Sequence, residues 1–273
     1  MKSIFIITTV FIILLLFSCS DNSSNSPNTI GNPNIYLGHD TTLTFSDLVS
    51  DYDTTDMMGS IYLTNEYEKI LLNDPTNEID YNTNNAHAYF FDPDDQDSIL
   101  PCEGIYVNNQ ELLELHSGSK HYITSGDISG GTGLTLNFGS GTNYISIDSN
   151  QFISEIDTNI AFSQKIRISN ISRGDTILKS NNITINWTGN NSGYVSLTLH
   201  NSVDTNFTSF YCGHALLTNS GSFTISSDVM DNFPDGLHDL ILTKFEPKFI
   251  LLDNGNKVLV MGESTHKISV FLD

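Results

Sequence analysis

Ile183-Thr184-Ile185-Asn186-Trp187, then Gly189-Asn190-Asn191-Ser192-Gly193, then Tyr194-Val195-Ser196-Leu197-Thr198-Leu199 is the stretch that decides the fold class. Apolar and polar side chains alternate with a period of two, which places them on opposite faces of an extended chain, and the Gly/Asn cluster between supplies a reversal. The same grammar continues in Ser222-Phe223-Thr224-Ile225, Leu240-Ile241-Leu242, Lys257-Val258-Leu259-Val260 and Lys267-Ile268-Ser269-Val270-Phe271-Leu272. Asp253-Asn254-Gly255-Asn256 holds a strong hairpin dipeptide. A helical turn is expected over 227–233, capped by Ser226 or Ser227, and no segment carries a sustained helical stripe. Short strands at this spacing predict a sandwich, with Trp187 packed between its sheets.

Upstream, strands are expected at 42–45, 60–64, 86–91, 104–107, 111–115, 134–138 and 144–147, with Asn108-Asn109 as a tight hairpin turn. Leu112, Leu113 and Leu115 break the alternation, which predicts a strand buried on both faces. The expectation is an all-β chain: a signal peptide (1–18), a lipidated Cys and tether (19–33), and two β-sandwich domains over 34–162 and 163–273. Cys102 and Cys212 then fall in different domains. A bridge would need their Cα atoms within about 7 Å, so two buried free thiols are expected.

Residues 163–273 resemble the immunoglobulin-like modules of bacterial exported and cell-wall proteins. The resemblance rests on Thr184-Ile185-Asn186-Trp187-Thr188, Val195-Ser196-Leu197-Thr198-Leu199, Thr218-Asn219-Ser220-Gly221-Ser222-Phe223-Thr224-Ile225 and a strand led by Gly236. It implies an immunoglobulin-like sandwich and leaves function open, because such sandwiches host unrelated activities. The cysteine pin of antibody domains is not matched, since Cys212 has no partner at a second-sheet position.

At the other end, Leu16-Phe17-Ser18-Cys19 resembles the lipobox of a bacterial lipoprotein. Lys2 supplies a positive start, residues 4–17 the apolar run, and Ser18 the small residue before a lipid-modified cysteine. The run is shorter than the roughly 20 apolar residues needed to span a bilayer. Cys19 is therefore the expected lipidation site, and several acyl chains would hold it where one chain binds only marginally. Residues 20–29 have almost no apolar side chain and read as a tether reaching about 2 nm. With Ser20-Asp21 and the Asn-rich composition, the lipobox resembles lipoproteins of the Bacteroidetes, which implies an outer-membrane address. In that group a short acidic stretch after the cysteine can route the protein to the surface. Here only Asp21 is acidic, so periplasmic and surface faces both stay open.

The formal charge is −21, with 32 acidic against 11 basic residues, and loss of 1–18 removes one more positive charge, Lys2. Such a surface repels nucleic acid, which depends on counterion release by basic residues. Asp92, Asp94, Asp95 and Asp97 place carboxylates in one short loop, the ligand type calcium prefers, and Asp51, Asp53 and Asp56 do the same. Neither stretch has the spacing of a helix–loop–helix calcium hand, so calcium enters only as the best single cofactor candidate and a solvated acidic turn as the ordinary alternative. His116, His121 and Asp127 could converge around a hairpin, a weak basis for zinc. Ser129-Gly130-Gly131-Thr132-Gly133 lacks the Lys-Ser/Thr of a phosphate-cradling loop and reads as a turn.

Catalytic grammar is missing: there is no Gly-x-Ser-x-Gly, no His-Glu-x-x-His and no recognisable Cys/His pair. Asp97-Ser98-Ile99 and Asp175-Thr176-Ile177 resemble the O-glycosylation acceptor sequence of exported Bacteroidetes proteins, with Ser98 and Thr176 as the acceptors. The leading expectation is a membrane-anchored, non-enzymatic envelope protein that binds a glycan, peptide or partner protein. The alternatives are a glycan hydrolase using paired carboxylates, whose positions local sequence does not reveal, and a structural spacer in an envelope assembly.

Overall fold

The computed structural model describes residues 34–37, 54, 56–71, 78–124, 133–189, 193–201 and 212–273. Cys19, the leader, the tether, the strand expected at 42–45, Asp51, Asp53 and Asp127 lie outside these residues.

In chain order the strands are β1 (Asn34–Tyr36), β2 (Met57–Leu71), β3 (Glu78–Asp92), β4 (Asp95–Leu100), β5 (Ile105–Val107), β6 (Gln110–Glu114), β7 (His121–Thr124), β8 (Asn143–Ile147) and β9 (Ile156–Ile160). There follow β10 (Arg167–Ile168), β11 (Thr176–Ile177), β12 (Ile183–Thr188), β13 (Tyr194–Asn201), β14 (Cys212–Thr218), β15 (Ser222–Ile225), β16 (Gly236–Leu251) and β17 (Lys257–Leu272). The single described helix, α1 (Ser227–Met230), starts after Ser226, whose side chain makes no cap bond. The described residues are all-β apart from that turn.

One large sheet runs β1-β14-β13-β16-β17-β2-β3-β7-β6-β5-β8-β9, and a smaller sheet runs β10-β12-β15. Strands β16 and β17 form a hairpin of 16-residue arms around the Asp253-Asn254-Gly255 turn, where Gly255 has φ +89°. The sheet divides by sequence at β17 and β2, which pair in parallel from Lys257↔Met57 to Ile268↔Lys69. On one side of this seam stand β13, β14, β16 and β17, and on the other β2, β3 and the strands that follow.

Period-two alternation fixes what each face does. On the core face, Ile61, Leu63, Ala86, Ala88, Val258 and Val260 pack against Ile105, Val107, Ile145, Ile147 and Ile156 as the sheet curls over. Further along the same long strands, Leu240, Leu242, Ile268 and Val270 join Leu197 and Leu199 and face Ile168, Ile185, Trp187 and Ile225 of the small sheet. This second cluster is sheet packed on sheet. Trp187 is buried within it, and its Nε1–H donates to Asn219 Oδ1 at 2.8 Å.

The two apolar clusters change over between Phe162 and Ile166. There, the core face of the long strands turns polar: Asn65, Tyr67, Lys244, Glu246, Ser264 and His266. These side chains bind the chain segment 162–168 that crosses them. Ile166 donates its N–H to Ser264 Oγ at 3.1 Å and Ile168 to His266 Nδ1 at 2.9 Å. Lys244 Nζ donates to Ser163 Oγ at 2.8 Å and to the Gln164 carbonyl. Glu246 Oε2 accepts from Ser163 N at 2.9 Å and Oγ at 2.6 Å. Arg167 lies over Tyr67, its Cζ 4.5 Å from the ring centre, so the crossing segment grips both sides of the seam.

Several expectations need correction. Residues 257–260 and 267–272 are not two strands: the polar stretch between them is the strand interior that carries the crossing segment. Leu112 alone of its group is buried, while Leu113 and Leu115 are 47% and 37% exposed, so β6 has one core face. Residues 134–138 form no ladder. Leu134 and Leu136 are buried, but the only strand-like pairing is a bridge from Phe138 to Phe162. Asn108 and Asn109, at φ 49° and 66°, make the expected tight turn, which Asn tolerates better than other side chains.

Candidate functional site

The face opposite the cores carries the chemistry. Around the seam, Tyr62, Thr64, Glu66 and Glu68 of β2 stand beside Met261, Glu263, Thr265 and Lys267 of β17, with His87 and Thr83 of β3 on one flank and Phe245 and Thr243 of β16 on the other. Alternation dictates this grouping, because every member is an even step along its strand from the next.

Two regions share that face. Toward the β16–β17 turn lies an aromatic and sulfur-rich band: Tyr62, Phe245, Leu259 and Met261 are buried, with Met57, Tyr89, Tyr194 and Phe249 half-buried against them. Its rings continue outward in a row. Tyr62 stacks on His87 with centroids 4.6 Å apart, and Tyr89 stacks on exposed His121 at 5.7 Å. Burial holds the His87 imidazole down to about 4, with His121 adding to the effect. Burial likewise pushes the Tyr62 hydroxyl well above its ordinary range, helped by Tyr89 and Glu263.

The second region is ionisable. Glu263 and Glu66 are both buried, and the register Glu263↔Thr64 and Thr265↔Glu66 makes them diagonal neighbours across the seam. Burial pushes Glu263 up to about 7, with the Glu66 charge adding to it and a 3.4 Å hydrogen bond from Thr64 Oγ1 opposing. Burial also pushes Glu66 up to about 7, with Glu68 adding and Lys267 opposing. Lys267 is committed elsewhere, at 3.2 Å from Asp239 Oδ2. Burial alone would lower its ammonium, but Asp239 and the nearby glutamates outweigh this and hold it above its ordinary range. Asp239 also accepts from Ser269 Oγ at 2.6 Å and lies 3.8 Å from His200 Nε2.

The residues singled out from sequence lie elsewhere. Asp92 and Asp94 sit in the β3–β4 turn, where Asp92 Oδ1 accepts the Asp94 N–H at 3.0 Å and Asp95 opens β4. Among the described residues no three His, Cys, Asp or Glu side chains are gathered as a metal group, and the Asp97 side chain is not described. His116 and His121 flank a solvent-facing hairpin, closed by Leu115 N–H to the His121 carbonyl at 2.8 Å. Ser98 and Thr176 are both exposed, the first on β4 and the second on β11. Cys102 is a buried free thiol.

Glu66, Glu263 and the ring row were not found from sequence. Their alternation within each strand is readable, but the parallel pairing of β2 with β17 joins residues nearly 200 positions apart. No local pattern announces that contact. No protein-family profile matches the chain, and no curated protein is significantly similar to it.

Proposed function

We propose that this chain is a lipid-anchored envelope protein, held at the outer membrane through Cys19, that acts as a non-enzymatic binding or adhesion module for a glycan, peptide or partner protein. The lipobox-like stretch and tether support the address. Two sandwich units sharing one sheet form the body. The C-terminal unit is immunoglobulin-like, a reading supported by Trp187 between β10-β12-β15 and the long strands. The aromatic band carries the binding reading: Tyr89, Tyr194 and Phe249 are half-buried within it, and Tyr89 stacks on the exposed ring of His121. Aromatic anchors of this kind dominate binding surfaces because they contribute area at low entropic cost. The net charge of −21 argues against nucleic acid as the partner. Ser98 and Thr176 are proposed as glycan acceptors, readable as an added mass on the protein from its native host.

The carboxylate pair is the observation that would favour a hydrolase. A glycosidase divides its carboxylates into one held protonated and one held ionised. Here burial drives both Glu66 and Glu263 the same way, and neither is open to a substrate.

The test is to screen residues 20–273 against glycan and peptide arrays, then repeat with Tyr89→Ala. Retention of a ligand that falls at least about tenfold in the variant supports the reading. Equal binding by parent and variant removes the band as the site.

A further inference from the structure

We propose that Glu66 and Glu263 form a proton-held latch across the β2–β17 seam, so that the junction between the two halves of the large sheet loosens as pH rises to neutrality. The geometry sets this up. Among the described residues the seam is the one ladder that joins the β2-to-β9 side of the sheet to the strands built after residue 163, and the two carboxyl groups sit on opposite sides of it, on one face, diagonal to each other.

Among the described residues Lys267 is the cation whose charge reaches the pair, and it opposes the rise of Glu66 only in part. Its ammonium lies 3.2 Å from Asp239 Oδ2, and Asp239 also accepts from Ser269 and faces His200 of β13. Glu68 on β2 adds a further negative charge. From β3 the facing residues are His87, whose imidazole is held neutral, together with Asn85, Thr83 and Tyr81. From β16 and β13 they are Phe245, Thr243, Tyr194 and Ser196. The only hydrogen bond described to either carboxyl is the one from Thr64. With protons in place the pair is neutral and compatible with burial; with both protons lost, two like charges confront each other across the seam in a poorly solvated setting.

The sign follows from linkage. Each group binds its proton more tightly folded than unfolded, so the native state holds more protons between the unfolded value near 4.5 and the folded value near 7. Seam stability is full below that window, falls through it and is lost above it. On the opposite face the 162–168 segment straps the same seam through Ser264, His266 and Tyr67, so the halves stay tethered while the ladder opens.

The experiment is amide hydrogen exchange on the full mature chain from pH 6 to 8.5, with rates corrected for intrinsic exchange, in the parent, Glu66→Gln and Glu263→Gln. The latch predicts that protection of β2 and β17 amides near the pair drops about tenfold or more in the parent over this range, while β8 and β9 amides keep theirs. Either Gln variant should flatten that drop, so one variant suffices if the other fails to fold. A drop equal in parent and variants, or spread evenly over the sheet, overturns the proposal. So does restoration of protection at pH 8.5 by millimolar calcium, which would make the pair a cation site.

Discussion

Ile168 gives its backbone N–H to Nδ1 of His266 at 2.9 Å, and this bond stitches the small sheet to the long strand β17. An acceptor nitrogen must be unprotonated, so the contact requires a neutral imidazole. Burial, together with the charges of Arg167 and Lys69, holds His266 down to about 4. The ring also stacks on Tyr67 at 5.2 Å, which fixes its plane.

A depressed histidine means that the unfolded chain takes up the proton first on acidification. Its contribution is complete above about pH 6.5 and is lost as pH falls from there through about 4. Urea midpoints measured from pH 4 to 7 combine this acid limb, to which His87 adds, with the opposite trend of Glu66 and Glu263, so the limb is read as the difference between parent and variant. His266→Asn should lower stability at pH 7 and make that limb shallower. An unchanged slope would contradict the assignment.

The glycine at 262 exists to seat Phe162. A Cβ there would stand 2.4 Å from the phenyl ring, closer than side chains approach. Gly262→Ala should cost about 1–3 kcal/mol by overpacking, and Gly262→Ala combined with Phe162→Leu should recover part of it. Equilibrium denaturation of the two single variants and the double gives the coupling. A neutral Gly262→Ala would mean that residues 162–168 do not cross the sheet as described.

Cys102 is closed to solvent, and burial pushes its thiol up to about 12, with Asp148 and Glu103 adding to the effect against an opposing hydrogen bond from Asn150. Thiolate is the reactive form, so this cysteine should resist iodoacetamide in the folded protein at pH 8 and react fully in denaturant. Mass spectrometry before and after unfolding reads the difference. Rapid native modification at Cys102 would contradict the packing of the β4–β5 connection.

Strand grammar was legible wherever one face meets a core. Ile183–Thr188, with Trp187 as its buried anchor, and the Asn108-Asn109 and Asn254-Gly255 turns follow from alternation and turn chemistry alone. The reading failed where a strand stays extended but its core face turns polar. Gly262, Ser264 and His266 look like a break in sequence, yet they are ladder positions that hydrogen-bond or pack against a crossing segment. Leu113 and Leu115 misled in the other direction, since apolar side chains at the edge of a hairpin need not be buried. The seam, and with it the Glu66–Glu263 pair, depended on a parallel pairing between distant segments, which periodicity does not encode.

Lipid on Cys19 is what we propose holds this sheet at a membrane. Metabolic labelling with a fatty-acid probe in a lipoprotein-processing bacterium tests it directly. The parent should carry the label and sediment with membranes, while Cys19→Ala stays unlabelled. Equal labelling of the two, or no label on either, would contradict it.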